Sequence, residues 1–110
     1  MSNTFNVFRY SIPVVGPEFF VPVSPNSVLL SVADSRTDPG RKVDVWVRVP
    51  KSDRYATETG RYAVLCIRGT GHDVEAEDAP EFLGTVVTAV GLVWHVFYRF
   101  ETSTDGMAIR

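Results

Sequence analysis

The segment Lys42-Val43-Asp44-Val45-Trp46-Val47-Arg48-Val49 alternates without a break. A period of two places Val43, Val45, Val47 and Val49 on one face of a strand and Asp44, Trp46 and Arg48 on the other. The same kind of reading runs through the rest of the chain, and no segment carries a convincing 3.6-residue stripe. The chain is therefore read as all-β.

Seven strand candidates follow, separated by turn signals. Thr4 to Ile12 sets Phe5 and Val7 against Asn6 and stops at Pro13. Glu18 to Val23 is short and aromatic, lies between Pro17 and Pro25, and contains Pro22. A proline cannot donate to a ladder, so this segment predicts an edge strand. Ser27 to Ala33 ends at Asp34-Ser35, and Lys42 to Val49 follows. Arg61 to Arg68 opposes Ala63, Leu65 and Ile67 to Tyr62, Val64 and Cys66. Phe82 to Val90 and Leu92 to Phe100 form a hairpin about Gly91. Both faces of that last strand are largely apolar: Leu92, Trp94, Val96, Tyr98 and Phe100 on one, Val93, His95, Phe97 and Arg99 on the other. It is expected to be central, or covered on one side by a partner subunit.

Asp38-Pro39-Gly40 and Pro25-Asn26 are turn signals, because proline presets φ and glycine accepts positive φ. Lys51 to Gly60 is polar and reads as a flexible hairpin loop, and Val74 to Phe82 has room for one helical turn ending near Pro80. Short, turn-rich spacing predicts a small antiparallel β-sandwich or partly open β-barrel of about six to seven strands. Residues 1–100 form the single β domain and residues 101–110 a polar C-terminal tail.

Composition narrows the function classes. A chain of 110 residues is one domain, and burying roughly two-thirds of its unfolded surface gives it one modest core. The net charge of −2 argues against a nucleic-acid binder driven by phosphate neutralisation. The loosest basic cluster, Arg36, Arg41, Lys42, Arg48, Lys51 and Arg54, reads as the decoration of a solvated hairpin. Cys66 is the single cysteine, so no intrachain disulfide forms; it reads as a small buried hydrophobe in a reducing compartment. Ser2-Asn3-Thr4 lacks a basic region with an apolar stretch behind it, and no apolar run approaches the ~20 residues of a membrane span. Neither secretion through a signal peptide nor a membrane partner is expected.

The residues with chemical potential are few. His72 and His95, with a carboxylate from the acidic loop, make a conceivable metal site, but no short-spaced ligand pair exists, and no metal is expected. The competing expectation is that His95 bonds to backbone, Thr70 or Thr85. Gly69-Thr70-Gly71 is able to aim backbone N–H groups at an anion, so Arg68, Gly69, Thr70, Gly71, His72 and His95 are the candidate ligand-binding set. The simpler reading is a tight strand exit. The acids from Asp73 to Glu81 do not fit a calcium-loop frame and read as a solvated loop. Catalytic residues are expected to be absent: Cys66 is enclosed by apolar neighbours and no serine sits in a glycine elbow. Phe19, Phe20, Trp46, Tyr98 and Phe100 are more aromatics than one small core needs, and are the interface candidates. Trp46 either joins such an interface or covers the open end of a barrel.

Several short motifs recur together in a known family. They are Tyr10-Ser11-Ile12-Pro13, Leu30-Ser31-Val32, the run Ile67 to His72, Phe82-Leu83-Gly84-Thr85, and Val93-Trp94-His95-Val96-Phe97. Ordered this way over roughly residues 8 to 98, the chain resembles a family of short phage and prophage proteins whose domain has no assigned activity. It departs from that pattern in its longer Lys51 to Gly60 loop and in its tail after Phe100. The resemblance implies a phage source and a compact β domain, not a mechanism.

The expected function is that of a non-enzymatic phage structural or interaction protein, such as a minor capsid or decoration protein that bridges subunits. Its partners would be itself, capsid subunits or both, with no cofactor and no nucleic acid, in the virion or the host cytoplasm. The Pro17 to Pro25 edge and the 101–110 tail would make the contacts. Two alternatives stand beside it. One is an oligomeric sponge for a small anionic ligand such as a nucleotide signal, which the acidic loop disfavours. The other is a metal-assisted hydrolase using His72, His95 and Asp73.

Overall fold

A computed structural model of the protein describes residues 4–16, 18–53 and 60–102. It contains seven strands: β1 (Phe5–Pro13), β2 (Phe19–Pro22), β3 (Val28–Asp34), β4 (Lys42–Pro50), β5 (Arg61–Gly69), β6 (Glu81–Val87) and β7 (Val93–Thr102). They form two antiparallel sheets, one of three strands in the order β1-β4-β3 and one of four in the order β2-β5-β7-β6. The fold is all-β, and the two sheets are open, which selects the sandwich over the barrel.

The core is what the β4 alternation demands. Val43, Val45, Val47 and Val49 are buried, together with Ile12, Leu29, Ala63, Leu65, Val86 and Val96 from both sheets. Each fully buried valine is worth about 1.5–3 kcal/mol over an exposed one. Pairing fixes which face of β1 joins them. Tyr10 lies opposite Val45 and Ile12 opposite Val43, so Tyr10 and Ile12 face inward. Val7 lies opposite Arg48, so Phe5 and Val7 face outward and are exposed. The alternation of Phe5 and Val7 against Asn6 is genuine, but those two side chains lie on the outer face rather than in the core.

Turn chemistry closes the hairpins. In the β3–β4 turn Asp38 O accepts from Arg41 N and Lys42 N, and Asp34 Oδ1 accepts from Ser35 N and Gly40 N. Gly40, at φ 82°, occupies the left-handed region that this turn requires. Thr88 closes the β6–β7 turn with both its backbone and its hydroxyl, so β6 ends at Val87 rather than Val90. The acidic stretch contains a single turn, in which Glu75 O accepts from Asp78 N and Ala79 N.

Two expectations are corrected. Lys51 to Gly60 is not a hairpin: it joins β4 to β5, which lie in different sheets. It begins with a 3-10 turn over Lys51–Asp53, where Asp53 Oδ2 accepts from the backbone and side chain of Asn26. The polar tail begins later than Glu101, because β7 continues through Thr102, paired with Arg61. Arg54, Pro17 and residues 103–110, which the sequence reading assigned to the basic cluster, the proline-flanked edge and the tail, lie outside the described residues. The edge position of β2 and the central position of β7 agree with the expectations from Pro22 and from two apolar faces.

One crossover decides where the acidic loop lies. From β5 the chain passes over β7 to reach β6 at the far edge of the sheet. Residues 70–80 therefore run across the outer face of the four-stranded sheet. No helix among the described residues is long and apolar enough to cross a membrane.

Candidate functional site

The Gly69–His72 turn is held by its own groups. His72 N donates to Gly69 O at 3.1 Å, and Gly69 N donates to His72 Nδ1 at 3.2 Å. Gly71 has positive φ, but Gly69 does not. Gly69 is glycine for a different reason: a Cβ there would sit 2.9 Å from His72 Cε1. His95 projects from the opposite face of the same sheet. Its Nε2 lies 2.8 Å from Thr70 Oγ1 and its Nδ1 3.0 Å from Thr85 Oγ1. Both threonines are the partners anticipated for it. Arg68 is paired with His95 across the β5–β7 ladder, whereas His72 folds back on Gly69. The six residues of the candidate ligand set thus share one end of the sheet, but the two histidines do not converge. Among the described residues no group of three or more His, Cys, Asp and Glu is placed to hold a metal ion.

A second polar cluster was not visible in the sequence. Arg99 projects from the outer face of β7. Its NH1 donates to Glu18 Oε2 at 2.7 Å and to Asp78 O at 2.7 Å, and its Nε donates to Glu101 Oε2 at 2.6 Å. The guanidinium fork thus ties the acidic loop and the strand-entry residue Glu18 to the sheet. These carboxylates hold the Arg99 guanidinium even more firmly protonated than usual. Beneath lies Cys66, buried, with Sγ 3.4 Å from Asp78 O. Burial first, and then the negative charge of Glu18, push the thiol above its ordinary range. It is a neutral packing group, as expected from its strand.

The outer face of the three-stranded sheet has a different character. Arg48 lies over the Phe5 ring, 5.1 Å from its centroid. Val7 and Val28 flank Arg48 on either side across the ladder. Trp46 is half-buried between Arg9 and Ser31 on this face, so it covers no barrel end. Asp44 is fully buried here, with Oδ2 3.2 Å from Arg9 NH1 and 3.3 Å from Arg36 N. The other interface candidates divide. Phe19, Tyr98 and Phe100 pack against the core, Tyr98 and Phe100 edge to face, and Arg61 covers the Phe100 ring at 3.9 Å. The core therefore absorbs three of the five that looked surplus. Phe20 is half-buried edge to face with Tyr62.

The sequence reading missed Phe5, Val7 and Phe82 as surface aromatics and aliphatics. Phe82 is exposed on the outer face of the four-stranded sheet, its ring centroid 5.4 Å from that of Phe97. The signal for Phe5 and Val7 lay in β1 itself, where Tyr10 and Ile12 form a competing apolar phase.

A family model described as a domain of unknown function, DUF7352, matches residues 3–105. The chain belongs to the DUF7352 family. No curated protein and no solved structure is similar enough to match it. The DUF7352 match spans both sheets and all seven strands, so the two outer faces and the histidine end all lie within the family domain.

Proposed function

We propose that this DUF7352 domain is a non-enzymatic interaction module of a phage particle, a structural or decoration subunit that bridges neighbouring proteins in the virion through its outer sheet faces. One observation carries this reading: large apolar side chains stand in solvent on both outer faces. Phe5 and Val7 are each 48% exposed on one, and Phe82 and Val87 are 58% and 69% exposed on the other. Phe5, Val7 and Val28 cluster around Arg48, and clustered apolar exposure of this kind marks contact surfaces. The anionic-ligand alternative has less support, because both ring nitrogens of His95 and the Gly69 amide already hold partners within the chain.

Quantitative mass spectrometry of purified particles from a phage that encodes the chain tests the proposal. Stoichiometric copies in the particle are expected. Absence from particles, with the protein free in infected cells, would overturn it.

A further inference from the structure

We infer that the chain associates with copies of itself head to tail, the outer face of the three-stranded sheet in one copy docking on the outer face of the four-stranded sheet in the next. This rests on the reading of the chain as an interaction module and names its partner as a second copy.

Charge is the first argument. Residues 5–13 and 28–53, which build the three-stranded sheet and its turns, carry six Lys and Arg against four Asp and Glu, a net +2. Those acids are largely engaged. Asp44 is buried on Arg9, Asp34 caps the β3–β4 turn, and Asp53 holds Asn26. The remaining described residues carry three Arg against seven acids, a net −4. All three, Arg99, Arg61 and Arg68, are engaged within the chain. Asp73, Glu75, Glu77, Asp78 and Glu81 are exposed. The crossover of residues 70–80, anchored through Asp78 O to Cys66 and Arg99, holds the acidic loop on the outer face of the four-stranded sheet.

Geometry is the second argument. The basic and acidic faces are the two opposite outsides of one sandwich, so no single copy brings its own pair together. Each face also exposes apolar side chains: Phe5, Val7 and Val28 around Arg48 on the basic one, Phe82 and Val87 along the edge strand β6 on the acidic one. Exposed apolar side chains set among charged ones supply both the buried area and the polar contacts that a protein interface uses. Complementary charge steers such a contact and sets its orientation. A basic face meeting an acidic face is heterologous, so the contact repeats and builds a ring or an open chain. Face-to-like-face pairing would oppose charges of the same sign.

Sedimentation velocity on the full chain tests this. Association is expected to grow with protein concentration and to weaken with added salt, since the Debye length falls from ~8 Å at physiological ionic strength to ~3 Å at 1 M. Arg48→Glu spoils only the basic face, and Glu75→Lys with Glu77→Lys spoils only the acidic one. Each variant alone should lose association by about tenfold or more. Mixed together, they should recover association, because each retains one good face and the two reversed faces now oppose charges of opposite sign. Unchanged thermal melts keep folding out of the comparison, and Lys51→Glu, a second exposed basic-face change, should behave as Arg48→Glu does. A wild-type chain that stays monomeric, or a single-face variant that dimerises alone, overturns the inference. A monomer that is nevertheless present in virions overturns it while leaving the interaction-module reading intact.

Discussion

Cys66 shows how one side chain reports on its surroundings. Its thiol is enclosed by Asp78 O, Glu18 and Arg99, and its ionisation is displaced upward. The native state therefore favours the protonated thiol. The unfolded thiol ionises near its ordinary pKa of about 8.5, so above that pH the unfolded state sheds protons that the folded state retains. Stability from this group is complete below about pH 8 and is lost as pH rises through the folded pKa. Urea unfolding of wild type and Cys66→Ala at about pH 7 and pH 10 checks the sign. The cavity cost of the alanine is common to both conditions, so the gap between the two proteins should narrow at high pH. A gap that widens would contradict the displaced thiol.

At the scale of the element, the acidic crossover and the close approach of the sheets each hang on one position. Arg99→Lys replaces a fork serving Glu18, Glu101 and Asp78 O with a single ammonium. Losing about 2 kcal/mol of charge-assisted bonding should loosen the 70–80 crossover. Alkylation of Cys66 beneath it should then speed up about tenfold or more while global stability changes less. Gly84 is the second position. A Cβ there would meet Val32 Cγ1 at 3.0 Å, across the seam where β3 faces β6. Gly84→Leu should destabilise by about 1–3 kcal/mol in urea unfolding, since a packed seam has no room to give. Gly69→Ala should cost much less, because its obstacle is the exposed His72 ring, which can swing away. These elements also mark what sequence can reveal. In β4, valines occupy one phase throughout, so its buried face was legible. In β1 both phases carry apolar residues, and only the pairing of Val7 with Arg48 decides that Phe5 and Val7 face out. The Thr85 partner of His95 was legible because the two face each other across the β6–β7 hairpin, whereas Thr70 comes within reach only through the pairing of β5 with β7. The Arg99–Glu18 bond was not, because its partners are 81 residues apart, one in β7 and one just ahead of β2. The crossover over β7 was hidden for the same reason: no local pattern says which sheet a strand joins.

At the scale of the molecule, the two sheets share one core, and each lacks an independent one. Val43, Val45 and Val47 pack in the same cluster as Leu65, Val86 and Val96. Three of the connections, β1 to β2, β2 to β3 and β4 to β5, pass from one sheet to the other, so neither sheet is a continuous stretch of chain. Folding one sheet therefore requires the ends of the other to be placed. A domain of this size built in this way should unfold in a single transition. Val45→Ala removes buried methyl groups from the three-stranded sheet, at a cost of about 2 kcal/mol. Val96 sits in the central strand of the other sheet, paired with Ile67 and Gly84. If the amides of β7 are released only by global opening, hydrogen exchange at Val96 should quicken by about 30-fold in Val45→Ala, the factor that ~2 kcal/mol implies. An exchange rate unchanged at Val96, alongside a lowered urea midpoint, would mean that the sheets open separately. The shared core leaves no obvious way for that to happen, because opening either sheet exposes the inner face of both.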